Sequence, residues 1–530
     1  MAYLGTTLDV GYYGKTDLLG PISKFPVILL PLAVTIGLAA AYAFRHGSYG
    51  RGSLLHWLIL TSPIVLLILY LLFLPDSIEK YVFTNYYDVI GHMARANYVL
   101  ATGRSNISVD PYFELQPAVF YATAALMMVT GMEPYVIYKW FPFLFVVVVY
   151  VPSLLFLGKS FFENRRELAL FVFLSLATMW VPTRYHYSAQ VYALPLYNIL
   201  VALLVRRAFN RGGLITIFVI CTATIPTHQG VSLFVMATFV SVLLLVGLEK
   251  PAFRRTERGE TLLRLTILFS VIWLGYLSLL TAYTFRSFVE ALKEASTIIL
   301  SEEFFRIFSG ALTRSDQTYQ LLVYGKMLTA ATVYLFSFPV LAYCWFKKGM
   351  KKLGTVVMIV LGVSATIFVL GFSFGGAGFV ERAVLMIGPL LAVGLTITAS
   401  RMGKMNSPLP IVTMLVLLTV TGGLLFNSSR NFQSITFSEQ ACDQFAISHN
   451  PSQTLGYYGT AATVARYSYQ KVADIDKTPT GIFIQFRSYL IESSYWVPED
   501  VLANATARPN EMSNFIRFYS NGISQMYLAR

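Results

Sequence analysis

Long apolar runs separated by short polar ones organise most of the chain. Runs near 25–44, 54–74, 136–157, 168–183, 190–205, 213–226, 231–248, 263–283, 327–346, 354–373, 383–400 and 409–426 predict about 12 membrane-crossing helices. The shorter runs imply tilted or kinked spans. The runs are continuous rather than alternating, which argues for helices and against a β-barrel. Residues 116–131 (QPAVFYATAALMMVTG) are apolar enough to cross, but a crossing there would invert every later loop. An interfacial or re-entrant helix is expected instead. The alternative is that the first span does not cross as drawn, and either choice keeps residues 76–114 outside. Past residue 426 the pattern changes. TLGYYGTAATVARYSY (454–469), GIFIQFRSYL (481–490) and ISQMYL (523–528) predict strands, and PNEMSNFIRFYS (509–520) predicts a helix. The expected architecture is an all-α polytopic membrane unit over 1–426, with outer loops 76–135 and 284–326, followed by a small α/β extracytoplasmic domain over 427–530.

Composition sharpens this picture. The 530 residues are 56% hydrophobic and 13% charged, with mean hydropathy +0.60. Soluble domains are about one quarter charged, so an ordinary soluble enzyme is excluded. The net charge of +13 sits mainly in clusters that follow alternate spans: Arg45 with Arg51, Lys159 with Arg165 and Arg166, Arg206 with Arg207 and Arg211, Lys250 with Arg254, Arg255 and Arg258, Lys347 to Lys352, and Arg401 with Lys404. That alternation marks cytoplasmic loops, so the charge does not indicate nucleic acid as a partner. The opposite loops carry Asp88, Glu114, Glu133, Glu303, Asp316 and Glu381 and are expected to face outward, in a multi-pass protein of the plasma membrane. Residues 1–24 show no cleavable leader, so the first helix is expected to be retained. The three cysteines form no metal or redox motif. Asn106, Asn427 and Asn504 stand in glycosylation triplets on the expected outside, a weak signal by itself.

The unusual polar residues gather at the expected outer ends of helices. In NYYDVIGHMAR, a helix puts Asp88, His92 and Arg95 on one face, at i, i+4 and i+7. A carboxylate and an imidazole one turn apart can act as a base pair or hold a metal ion; the plain alternative is an amphipathic helix with its polar side wet. Tyr87 belongs to the same cluster. Glu114, in DPYFELQP, is a second carboxylate that could face Asp88. Arg184, His186 and Gln190 cap two spans at the outer face, where a guanidinium invites a phosphate. Its plain reading is a snorkelling interfacial side chain. His228, in Pro-Thr-His-Gln-Gly, could meet a headgroup or acceptor, or could simply be a hydrogen-bonded turn residue. Glu381 and Arg382 follow GGAGFV at the start of a span, and Arg382 is the leading phosphate-binding candidate. Gly158-Lys159-Ser160 only mimics the end of a phosphate-binding loop, because Ser153 stands where that motif needs glycine. The loop 284–326 has the length of a lid or binding loop.

This layout resembles the GT-C superfamily of membrane glycosyltransferases, and within it the archaeal members. The likeness covers roughly residues 54–426 and is carried by YYDVIGHMARANYVLATG, by FELQPAVFYATAALMMVTGMEP, by the Thr227-His228 turn and by the Glu381-Arg382 helix start. FYSNGISQMYLAR resembles the closing strand of many archaeal members. The resemblance implies a polyprenyl-phosphate-linked sugar as donor, taken up on the extracytoplasmic face, and a glycan, lipid or protein acceptor; membrane lipids are the further partners. It maps the catalytic acid of the first outer loop onto Asp88, with His92 and Glu114 as companions and Arg382 and Arg184 on the donor phosphate. No Asp-x-Asp pair stands at this position, where Tyr86 lies two residues before Asp88, so a divalent cation (Mg or Mn) at Asp88 is an open expectation. The sequon-reading Trp-Trp-Asp of oligosaccharyltransferases is absent from the tail, which points to a simpler transferase. A surface polysaccharide polymerase or ligase, and a membrane transporter or lipid flippase, are the competing classes. The transporter is disfavoured because the polar groups cluster at one face rather than at mid-span.

Overall fold

The structure is a computed structural model describing residues 81–84, 86–105, 117–132, 137, 141, 144–177, 189–249, 257–280, 286, 289–290, 293, 317–371, 377–402, 434–436, 455–458, 472–473, 482–486, 515–520 and 524–529. The expected spans 25–44, 54–74 and 409–426 lie outside these residues, as do Glu114, Arg184 and His186.

A strand, β1 (Tyr81–Thr84), precedes helix α1 (Tyr86–Thr102) and helix α2 (Pro117–Thr130). The main bundle follows. It comprises α3 (Val151–Gly158), led in by a π-helical turn over Val146–Tyr150, then α4 (Arg165–Ala177), α5 (Ala189–Val205), α6 (Arg211–Thr227), α7 (Gln229–Glu249), α8 (Glu257–Leu280), α9 (Gln317–Lys348), α10 (Lys351–Gly371) and α11 (Ala377–Met402). Pro152, in the first turn of α3, lacks the N–H that a regular helix would direct at the preceding turn, which accounts for the widened turn there. Among the described residues, Gln229–Leu248, Gly259–Leu279 and Ala330–Lys348 are long and apolar enough to cross a membrane. Shorter apolar helices include Val146–Gly158, Ala189–Val205 and Arg211–Thr227.

Central contacts run between α7 and α10, between α9 and α11, and between α4 and α11, with α5 against α3 and α6. The core is aliphatic and aromatic, with Tyr150, Phe171, Tyr197, Phe234 and Phe239 fully buried. Polar groups inside the bundle join helices. Tyr197 Oη and Thr238 Oγ1 lie 2.9 Å apart across α5 and α7, and Asn198 donates to Ser153 Oγ at 3.1 Å across α5 and α3. Such pairs satisfy the groups that an apolar surrounding would otherwise penalise.

Short turns after α3, α5 and α9 make neighbouring helices antiparallel and lie at one end of the bundle. Arg206 donates from Nε to Ser160 Oγ at 2.8 Å and from Nη2 to the Phe156 carbonyl at 2.6 Å. Lys352 Nζ reaches the Ser160 carbonyl at 3.0 Å. The turns after α3, α5 and α9 therefore meet, as their shared charge leads one to expect. Partial burial lowers the Arg206 pKa from the ordinary guanidinium range.

Three elements differ from the sequence reading. Helix α9 begins at Gln317, so 317–326 is helical rather than part of the 284–326 loop. Its QTYQLLVYGK carries no proline and one glycine, so nothing there stops the helix. Helix α11 begins at Ala377, earlier than the expected 383, so Arg382 lies more than a turn inside it. Within 509–520, expected to be a helix, Phe515–Ser520 is strand β6. The reason is pairing. Strand β6 runs antiparallel to β7 (Ser524–Ala529), and Asn521-Gly522 between them is a strong hairpin signal that outweighs helical periodicity.

With β3 (Leu455–Tyr458), β4 (Val472–Ala473) and β5 (Ile482–Phe486), these strands form a sheet in the order β4-β3-β5-β7-β6. Strand β3 pairs parallel with β4 and β5, while β7 pairs antiparallel with β5 and β6. Separately, β1 pairs antiparallel with β2 (Ser434–Thr436), matching Phe83 with Ile435 and Thr84 with Ser434.

Candidate functional site

Helix α1 carries the first candidate cluster. Tyr87 and Asp88 occupy its first turn, and the helix holds Asp88, His92 and Arg95 on one face. It closes at Gly103, whose φ of 71° suits the left-handed end of a helix and whose N–H meets the Val99 carbonyl at 2.8 Å. Only 3% of His92 and 6% of Arg95 is exposed. At His92 and Arg95 the polar face is therefore packed rather than wet, unlike that of a helix floating at the membrane surface.

Helix α2 does the packing. The Phe120 ring, itself fully buried, meets His92 edge-on with centroids 5.6 Å apart and an interplanar angle of 81°. The Arg95 guanidinium carbon stands 5.8 Å from the centroid of the same ring. A cation over an aromatic face is worth roughly 0.5–2 kcal/mol, more when desolvated. Ser105 N–H donates to Tyr121 Oη at 2.9 Å and ties the end of α1 to α2. Helix α2 has 14 residues, about 21 Å at 1.5 Å per residue, short of a bilayer core. It also touches α6. Arg95 was placed on this face by its sequence spacing, but its near-complete burial was not legible there.

The second cluster lies at the bundle end opposite the basic loops. Gln190 is buried in the first turn of α5. Tyr192 stacks on Phe141 with centroids 5.8 Å apart and contacts Phe145 at 4.6 Å. In the turn between α6 and α7, His228 Nδ1 accepts the Val231 N–H at 3.2 Å. That is a helix cap, and it leaves the imidazole proton on Nε2. A Cβ on Gly230 would stand 3.0 Å from His228 Cε1, so glycine keeps room for the ring. Gln229 donates to the Ile225 carbonyl at 2.9 Å and accepts from Trp273 Nε1 at 3.0 Å, joining α6 to α8. His228 is thus hydrogen-bonded within the turn. Glu381 and Arg382 ride near the start of α11, at this same end. The side chains of Tyr87, Asp88, Glu381 and Arg382 are outside the described residues. Among the described residues no three of His, Cys, Asp or Glu gather closely enough to hold a metal ion.

The fold has counterparts among solved structures. ArnT from Cupriavidus metallidurans bound to undecaprenyl phosphate superposes with a TM-score of 0.50 at 13% identity, over 90% of this chain and 98% of that one. The apo state of the same protein gives 0.47 at 12% identity, over 88% and 97%. The Archaeoglobus fulgidus oligosaccharyltransferase in complex with Zn and sulfate gives 0.49 at 9% identity, over 89% of this chain and 73% of that one. No family model and no curated protein matches the sequence. The likeness to ArnT is one of fold, and it is the GT-C fold that the sequence resemblance implied.

Proposed function

We propose, from the GT-C fold, that the chain is an integral-membrane glycosyltransferase moving a sugar from a polyprenyl-phosphate donor to an acceptor on the extracytoplasmic face. The observation that carries this reading is the packed polar face of α1, with His92 and Arg95 buried on the Asp88 side, in a chain that superposes along nearly the whole of a protein bound to undecaprenyl phosphate.

The chemistry follows from the residue types. The lipid phosphate of the donor enters laterally from the bilayer. Arg382, with Arg184, holds it through forked charge-assisted bonds and stabilises the leaving charge. Asp88 takes the proton from the acceptor hydroxyl or amide as its heteroatom attacks the anomeric carbon. The bond from that carbon to the phosphate oxygen breaks, and lipid phosphate leaves. A single displacement inverts the anomeric centre. His92 and Glu114 are companions of Asp88, and Tyr87, His186, Gln190, His228 and Glu381 belong to the surrounding wall. Any cation (Mg or Mn) at Asp88 would supply charge stabilisation, and no step above depends on it.

The test is incubation of purified protein with polyprenyl-phosphate sugars and a membrane-extract acceptor, with products read by mass. Transfer of one sugar is expected. A growing or preassembled chain in the product would move the reading to a polymerase or ligase. Asp88→Asn is expected to lower turnover by a factor of about 10²–10⁴ with an unchanged melting temperature; full activity would remove Asp88 from the mechanism.

A further inference from the structure

We infer that the basic end of the bundle carries a binding site for an anionic phospholipid, seated on the turn between α9 and α10. This rests on observations separate from the transferase site. Lys347 and Lys348 end α9, and Lys351 and Lys352 open α10, with only Gly349 and Met350 between them. All four lysines are exposed. Lys352 reaches the Ser160 carbonyl, and Arg206 is held by Ser160 and Phe156. That leaves Lys347, Lys348, Lys351 and the exposed Lys159, next to Ser160, without an ion pair among the described residues. The nearby segment offers Glu163 and Glu167 as carboxylates, against the further cations Arg165, Arg207 and Arg211. The patch therefore keeps a surplus of positive charge.

An apolar stripe continues from it. Phe336, Tyr343, Phe346 and Met350 are 55%, 52%, 72% and 46% exposed. Phe336, Tyr343 and Phe346, spaced seven and three residues apart, share one face of α9, and Met350 follows its end beyond Gly349. The Trp345 and Phe346 rings stack 4.3 Å apart beside the lysines. Acyl chains fit the stripe and the phosphate fits the lysines at its foot. A free anion would use only the lysines, whereas a lipid accounts for both features.

The full chain in detergent, titrated with phosphatidylglycerol or phosphatidylcholine and read by native mass spectrometry, tests this. Phosphatidylglycerol should be retained about tenfold better than phosphatidylcholine. Lys347→Gln and Lys348→Gln should each weaken its retention about fivefold, the charge contribution of one lysine near a lipid surface. Phe346→Gln should weaken both lipids while sparing the preference between them. Equal retention of the two lipids, retention unchanged in the lysine variants, or displacement by millimolar inorganic phosphate would overturn the proposal. If a lysine variant fails to fold, the two-lipid comparison in the unaltered chain decides.

Discussion

His228 and Arg207 are two residues whose neighbours explain them fully enough to predict substitutions. His228 caps α7 through Nδ1. An asparagine can accept the same bond, and an alanine cannot. His228→Ala should cost about 1 kcal/mol of stability and His228→Asn only a few tenths, measured by thermal unfolding in detergent. A loss of turnover in His228→Asn with stability intact would instead return this side chain to the chemistry. Arg207 sits at φ 53°, a conformation that side chains bearing a Cβ adopt at a cost. Arg207→Val should destabilise by about 1–2 kcal/mol, whereas Arg207→Gly should be tolerated, and the difference between their melting temperatures checks it. Spacing alone put Asp88, His92 and Arg95 on one face. The covering of His92 and Arg95 depended on Phe120, 28 residues beyond His92, and no local pattern encodes that contact.

At the scale of elements, the bundle is held by close helix contacts at small residues. A Cβ on Gly362 in α10 would overlap Ser241 Oγ of α7, and one on Gly394 in α11 would overlap Ser337 Oγ and stand 2.7 Å from the Ser337 carbonyl of α9. Ser337 Oγ also donates to the Leu391 carbonyl at 2.6 Å, which fixes the two helices at that height. Gly394→Ala should therefore destabilise by about 1–3 kcal/mol, because backbone rather than a flexible chain end stands in the way. Gly362→Ala should cost less, since the Ser241 hydroxyl can rotate aside. Gly275→Ala in α8, where a Cβ meets nothing within 4 Å, is the control that should be neutral. On the site side, α1 and α2 act as one unit through Phe120. Phe120→Ala should lower turnover through the placement of α1, and restoration of activity by Phe120→Tyr would separate loss of shape from loss of a catalytic group.

The pairing of β1 with β2 constrains the whole molecule. A hydrogen-bonded strand pair cannot straddle a bilayer, so β1, entering α1, and β2, opening the tail, share one side of the membrane. Ten expected spans, from 136–157 to 409–426, lie between them. An even number returns the chain to its starting side, and a crossing by α2 would make it odd. With its length of about 21 Å, this favours α2 lying at the interface. Cysteines at Phe83 and Ile435, which face each other in register, should crosslink under mild oxidation in membranes. Absence of the crosslink, with each single cysteine labelled by a reagent from a different side, would reject that topology.

The sequence alone determined the membrane class, the positions of most bundle helices, the alternation of basic loops and the shared face of Asp88, His92 and Arg95. Each of these depends on local periodicity or on charge, which neighbouring residues along the chain supply. The tertiary structure decided the rest. It buried His92 and Arg95 of α1, turned His228 into a cap, drew Arg206 and Lys352 onto one turn, and made a strand of 515–520 in place of a helix. Every one of these outcomes depends on a partner brought up by folding. The energy of a side chain or strand is set by what covers it, and a linear pattern records only what it could cover.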